Sequence, residues 1–304
     1  MNEFSVTILG SSAATPTSTR FPSAQVVSHQ YRPFLVDCGE GTQMQIRKNK
    51  IRFSKINHIF ISHTHGDHFF GLIGLISSFN LLGRETDLHI YAPESIKAVL
   101  DLQLAVSESQ LRYKIQYHFL KFDDKYLLYE DKQLKIYSFP LRHSIPTCGF
   151  LFKEKPYPRK IRKEVLKIYD IPDLAFEGIK RGNDFVKENG EIVSNETLTS
   201  SGMDQKSYVY CSDTAYFKNI SDYLEDVDLL YHECSFMEDM RVTAEAKMHS
   251  TTLDAARTAN NIGAKKLIIG HFSARYKELE PVLLETKTVF ENTILASEDL
   301  KINI

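Results

Sequence analysis

The sequence predicts an α/β fold, a β-sandwich layered with helices. Three observations carry that expectation. Phe4 to Leu9 alternates and runs into Gly10-Ser11-Ser12, and the short strands Ala24 to Ser28 and Pro33 to Val36 feed Asp37 into the turn Asp37-Cys38-Gly39-Glu40-Gly41-Thr42-Gln43. Ile56 to Ser62 is β-branched and aromatic enough for a buried strand, and Phe69 to Leu82, with Gly71 and Gly74, reads as a closely packed helix. Between them stands His63-Thr64-His65-Gly66-Asp67-His68, three imidazoles and a carboxylate within six residues on a strand-to-helix loop. Such loops at the end of a sheet are where α/β folds place their sites.

In chain order, a helix is expected from Gln43 to Lys48, a strand from Leu88 to Ala92, and a helix from Pro93 to Val106 with proline in its first turn. Strands follow around Tyr117–Phe122 and Leu134–Phe139, the second leading into His143. Pro146 to Phe152 opens the next strand. From Lys153 to about Lys206 the alternation fades and Lys153, Lys155, Arg159, Lys160, Arg162, Lys163 and Lys167 crowd together, with Tyr157 and Tyr169 interleaved. This segment reads as a basic insertion projecting from the core, with a short helix from Ile161 to Tyr169 and a polar stretch from Asn189 to Gln205. Most charge runs are merely solvated. Aromatics that stack and cations that hold phosphates make a nucleic-acid surface the sharper expectation.

The core resumes with Ser207 to Thr214, a strand ending in Asp213, and repeats the pattern in Asp228 to Phe236, which carries His232 and Glu233. Met248-His249-Ser250-Thr251 precedes a helix from Thr252 to Asn261, capped by Ser250 or Thr251. Lys265 to His271 is a strand ending in His271, followed by Phe272-Ser273-Ala274-Arg275-Tyr276; a helix from Glu280 to Asn292 and a last strand close the chain. Two strand-rich halves therefore flank the insertion.

Composition bounds the function. The chain has 304 residues, 42% hydrophobic and 25% charged, enough for a real core in one large domain, residues 1–304, with 153–206 inserted. Its net charge of −2 argues against a general nucleic-acid coat, so any RNA contact must use a local patch. No apolar run reaches the roughly 18 residues of a membrane span, and MNEFSVTILGSS lacks the basic start of a signal peptide. Cys38, Cys148, Cys211 and Cys234 lie far apart and read as reduced, buried thiols of a cytoplasmic protein.

The donor-rich loop has a chemical reading. Zinc-type ions take imidazole nitrogen and carboxylate oxygen. Four donors this close in sequence fit two ions better than one: His63 and His65 on the first, Asp67 and His68 on the second. Two ions roughly 3.5–4 Å apart clamp both oxygens of a phosphodiester displacement. His143, Asp213, His232, Glu233 and His271, all at strand ends, are candidates to complete the set. Asp37 either fixes the tautomer of a ligand histidine or caps a turn. His29, His58, His89 and His118 read as surface or satisfied core histidines.

The motif H-x-H-x-D-H with its trailing Gly71-Leu72 resembles the metallo-β-lactamase superfamily. Asp37 to Gln43, Pro140-Leu141-x-His143, Asp213-Thr214, His232-Glu233, His249-Ser250-Thr251 and His271-Phe272-Ser273-x-Arg275-Tyr276 narrow the resemblance to the ribonuclease Z (tRNase Z) family. It implies an αββα sandwich with a projecting basic arm. It implies a zinc-dependent endoribonuclease that removes 3′ trailers from precursor tRNA by attack of an activated water, leaving a tRNA 3′-hydroxyl and a 5′-phosphate on the trailer. His63, His65 and His143 are implied on one Zn2+, Asp67, His68 and His271 on the other, with Asp213 bridging. Asp67 doubles as the group that orients or deprotonates the water. His249 is implied as general acid, oriented by Glu233, with Ser273 and Arg275 on the scissile phosphate and Arg159, Lys160, Arg162 and Lys163 on the tRNA. A homodimer is implied as well. The chain differs from the family at Ser212, which replaces the glycine before Asp213, and at Ser18, which replaces a lysine in the early loop. In the arm, Ile171 to Phe176 lacks the usual Gly-Pro pair.

Overall fold

The computed structural model describes residues 3–202 and 204–304. The chain divides into two compact units, one of Met1–Glu130, Lys135–Phe152 and Lys206–Ile304, the other of Asp131–Leu134 and Lys153–Gln205.

The first unit holds two seven-stranded sheets. One runs in the order Lys301–Asn303, Phe4–Gly10, Ala24–His29, Arg32–Val36, His58–Phe60, Leu88–Ala92 and Ile115–Phe119. The other runs Thr293–Leu295, Leu267–Gly270, Leu229–Glu233, Ser207–Cys211, Cys148–Glu154, Leu134–Pro140 and Tyr126–Glu130. Both sheets mix hairpins with parallel pairs. The parallel strands are buried on both faces and so read as continuous apolar runs. Between the sheets, Phe34 packs edge-on to Phe152 and Phe60 to Phe150, and the buried Tyr208 hydroxyl hydrogen-bonds Gln25. On the outer face of the first sheet, Ile46, Leu72, Leu75, Ile76, Phe79, Ile96 and Leu100 of three helices pack on Leu35, Ile59 and Ile90. Helices Thr252–Asn261 and Glu280–Lys287 flank the second sheet. This is the expected layered sandwich of helix, sheet, sheet and helix.

Local predictions hold where the signal is local. The helix at Thr252 is capped by Thr251 through a capping box with Asp254, which decides between the two candidate caps. Elsewhere tertiary contacts move the boundaries. The helix expected from Phe69 to Leu82 is two pieces, Gly66–Phe69 and Leu72–Leu81. Between them the Gly71 N–H donates to Cys38 O, and a Cβ on Gly71 would lie 2.1 Å from Gly39 O. The strand expected at Tyr117–Phe122 sits earlier, at Ile115–Phe119, where it pairs with Leu88–Ala92. The last helix ends at Lys287 rather than Asn292.

The second unit has its own small core of Val165, Ile171, Ile179, Val193 and Leu198. Lys160–Ile161 pairs with Thr199–Ser200, and Phe185–Val186 with Ile192–Val193. The stretch expected to be simply polar from Asn189 to Gln205 thus contains strand and helix, with Met203 outside the described residues. The buried Asn195 amide donates to Ile179 O and Asn183 O, both at 2.7 Å. Its elements are too short to leave a periodic pattern. Lys160, Arg162 and Lys163 are exposed, whereas the Arg159 Nε donates to Thr199 Oγ1. Among the described residues, no helix is long and apolar enough to cross a membrane.

Candidate metal centre

The site is built at strand ends. His63 follows the strand His58–Phe60, His65 stands just before the short helix Gly66–Phe69, and Asp67 and His68 lie in that helix. The helix is locked to the neighbouring turn by Cys38 N–H donating to His68 O. A Cβ on Gly39 would come within 2.4 Å of Asp67 O, so glycine is needed for the two loops to touch. Asp37, Asp213 and His271, each following a strand, have φ of +53°, +34° and +57°. Left-handed backbone at a non-glycine residue costs energy and clusters at functional sites, because it turns a side chain sharply out of the strand direction.

The structure brings all seven expected donors together. Ligand atoms of His63, His65, His143 and Asp213 lie within 4.8 Å of one another, as do those of Asp67, His68 and His271. Asp213 stands between the two groups. Its Oδ2 is 3.6 Å from His63 Nε2 and 3.5 Å from His143 Nε2, while its Oδ1 is 3.1 Å from His68 Nε2 and 3.0 Å from His271 Nε2. Asp67 Oδ2 lies 3.4 Å from His271 Nε2 and accepts from the Ala14 N–H at 2.8 Å. Among the described residues, the buried Nε2 atoms of His63 and His68 find no hydrogen-bond partner of good geometry, although both face this carboxylate cluster. Buried imidazole nitrogens left unpaired among carboxylates are what a divalent cation satisfies, and the donor set suits a zinc-type ion. His232 stays outside these groups, its Nδ1 donating to the Glu233 backbone oxygen.

The electrostatics agree. Burial, then the neighbouring His68, pulls the His63 imidazole down to about 4, so it stays neutral and able to ligate. Burial lowers His65 as well, with His143 adding to it. His68 is pushed the other way: burial opposes its charge, but Asp213, Asp67 and Asp37 together raise it well above its ordinary value. Asp67 and Asp213 are held below the usual carboxylate range by the surrounding imidazoles despite their burial. Carboxylates that draw a proton to His68 draw a cation equally well.

A second layer of polar groups fixes the donors. Asp37 accepts from His68 Nδ1 at 2.7 Å, Ser62 N at 2.8 Å, Ser62 Oγ at 2.9 Å and the Tyr210 hydroxyl at 2.7 Å. It is therefore the group that sets the His68 tautomer, not a turn cap. Ser235 Oγ lies 3.0 Å from His271 Nδ1 and donates to Glu233 Oε2 at 2.7 Å. Glu233 Oε1 accepts from Thr214 N and from His249 Nδ1, each at 2.8 Å. No local pattern pointed to Tyr210 or to the Ala14 N–H; Ser62 and Ser235 had the weak signal of standing next to candidate residues at strand ends.

The centre opens into a cleft of about 820 Å³ lined by Asp67, Phe70, Met248, His249, Ser273 and Arg275 among others. Burial lowers His249, but the charge of Glu233 and its hydrogen bond outweigh that and lift the ring to about 9. Arg275 Nε donates to Ser273 Oγ at 3.1 Å, with its guanidinium 4.9 Å above the Phe236 ring. The four basic residues of 159–163 lie in the other compact unit.

Comparisons with known proteins fit this geometry. Residues 4–156 match the family model described as Anti-Pycsar protein Apyc1, a span that holds His63 to His143 but ends before Asp213, Glu233, His249 and His271. The Ribonuclease Z of Bacteroides thetaiotaomicron is 42% identical over 304 residues, covering 100% of this chain and 96% of that protein. The crystal structure of human tRNase Z, short form, is similar with a TM-score of 0.71 at 26% identity, covering 98% of both chains. The metallo-β-lactamase fold protein YhfI from Bacillus subtilis matches at a TM-score of 0.70 and 18% identity over 100% of both, which bears on the fold alone. With the donor cluster assembled from both halves of a chain matched along its whole length, the protein belongs to the ribonuclease Z family of enzymes with the metallo-β-lactamase fold.

Proposed function

We propose that the protein is a tRNA 3′-processing endoribonuclease whose reaction takes place in the Asp213-centred cleft. The single observation that carries this is the pairing of that two-group donor cluster with His249, which lines the same cleft and is held by the buried Glu233. In this reading His63, His65 and His143 would hold one Zn2+, and Asp67, His68 and His271 a second, with Asp213 available to both. When bound, the ions supply Lewis-acid polarisation of the phosphate and lower the pKa of water.

The chain's own residues do the rest. Asp67, fixed by the Ala14 N–H, orients or deprotonates the attacking water. His249, charged at neutral pH beside Glu233, gives its proton to the leaving 3′-oxygen. Ser273 and Arg275 hold the scissile phosphate, with the guanidinium as a charge-assisted donor. The tRNA product carries a 3′-hydroxyl and the trailer a 5′-phosphate.

In this reading Arg159, Lys160, Arg162 and Lys163 of the second unit hold tRNA phosphates. Exposure of three of the four cations supports this, together with the compact fold of residues 153–205. The working form in this reading is a cytoplasmic homodimer; four buried cysteine thiols suit a reducing compartment, and light scattering after gel filtration tests the dimer. The deciding experiment is cleavage of an end-labelled precursor tRNA with and without chelator, followed by zinc add-back. One metal-dependent cut near the discriminator base is expected. Absence of any cut, with activity retained on a small phosphodiester, would reassign the substrate.

A further inference from the structure

We propose that Phe70 is the platform on which a nucleobase flanking the scissile phosphate stacks. Phe70 is 65% exposed, yet it lines the cleft beside Asp67, His249 and Arg275. Exposed apolar side chains are common on this surface, but Phe70 is set apart by its place on the wall of the charged cleft, where a ligand entering the donor cluster would meet the ring.

Its mounting ties it to the chemistry. Asp67 and Phe70 are three residues apart on one helical turn, closed by Phe70 N–H donating to Gly66 O at 2.9 Å, so their side chains share a face. The ring rests against Gly66, where a Cβ would lie 2.1 Å from Phe70 Cε2, and meets Phe69 edge-on with centroids 5.0 Å apart. The next residue, Gly71, is pinned by its N–H to Cys38 O. These contacts keep the ring on the same turn as Asp67 and His68, where it lines the cleft. An aromatic so placed offers a π-face to the nucleotide whose phosphate enters the donor cluster. Stacking reads no base edge, so the platform accepts any base and positions the chain without selecting sequence.

The inference rests on the same cleft cleaving RNA, which wild-type cleavage of the intact precursor checks separately. The test is a cycle of protein and substrate changes. Phe70→Ala, Phe70→Leu and Phe70→Trp are compared with wild type on an intact precursor tRNA and on one with abasic nucleotides on both sides of the cut. On the intact precursor, Phe70→Ala and Phe70→Leu should each lower kcat/KM by about 5- to 100-fold, the range expected for one lost stack, and Phe70→Trp should restore it. On the abasic precursor the wild type should fall to the level of Phe70→Ala, because the two changes remove the same contact. Equal loss for Phe70→Ala on both substrates overturns the platform, as does full activity in Phe70→Leu. A wild type that leaves the intact precursor uncut overturns the cleft assignment and this inference with it.

Discussion

Glu233 Oε1 accepts from His249 Nδ1 at 2.8 Å, joining residues 16 apart in the chain. The carboxylate holds the imidazole by one nitrogen and leaves Nε2 as its other protonable atom. His249 also lies within ligand range of Asp213 and His271, so acid and ligand roles compete for it. His249→Ala should lower the maximal rate by about 10²- to 10⁴-fold with bound metal unchanged, as for a lost general acid. Metal analysis on the purified variant checks this, and loss of one ion would make His249 a ligand. Glu233→Gln should move the alkaline limb of the single-turnover profile to lower pH. The carboxylate raises His249 to about 9, and an acid works only below its own pKa.

Asp67 is shared between the donor cluster and the loop that carries Ala14. Asp67→Ala should abolish turnover while precursor binding, measured by filter retention, weakens far less. Full turnover in that variant would end the proposed mechanism.

Asp37 does not line the cleft, yet it holds His68 Nδ1 and is itself fixed by Ser62 and Tyr210. Asp37→Asn should weaken metal affinity by about 10- to 100-fold, read by competition with a chromogenic chelator. Tyr210→Phe removes one donor to a fully buried carboxylate and should cost about 1–3 kcal/mol in urea unfolding.

Changing Arg159, Lys160, Arg162 and Lys163 together to alanine should abolish precursor cleavage and spare a small chromogenic phosphodiester. The salt dependence of RNA binding should flatten in step, since fewer counterions are released. Equal loss on both substrates would remove these residues from RNA binding.

His58, His89 and His118 lie on adjacent strands as a stack, with centroids 4.9 Å apart for the first pair and 5.3 Å for the second. Burial, then His89 and His118, lowers His58 to about 4. The unfolded chain therefore binds a proton near pH 6.5 that the folded chain refuses until about 4. Stability should fall as pH drops through that window. His58→Phe keeps a ring in the stack and removes the titration, so its urea midpoint should fall less between pH 7 and 4.5 than the wild type's, both measured in chelator. An identical fall would rule His58 out as the cause.

Much of the site was legible because its information is local. His63 to His68 packs its donors into one loop, and the strand-then-donor pattern repeats at His143, Asp213 and His271. Residues that end strands of one face gather at one edge, whatever their order in the chain. The helix at Thr252 carried its own cap, and the buried strands carried their own apolar runs.

The rest depends on partners distant in sequence. Tyr210 reaches Asp37 across 173 residues, and no pattern around either names the other. The helix break at Phe70 and Gly71 exists because Cys38 claims a backbone hydrogen bond there, and that break gives Phe70 its exposed place. His58, His89 and His118 read as unrelated histidines until strand register set His89 opposite His58 and His118 diagonally across from His89. The sequence by itself determined which residue types stand at which strand ends, because alternation and glycine turns are written within a few residues. Only the tertiary structure decided which nitrogen faces which carboxylate, because sheet pairing and close backbone approach are settled between segments far apart in the chain.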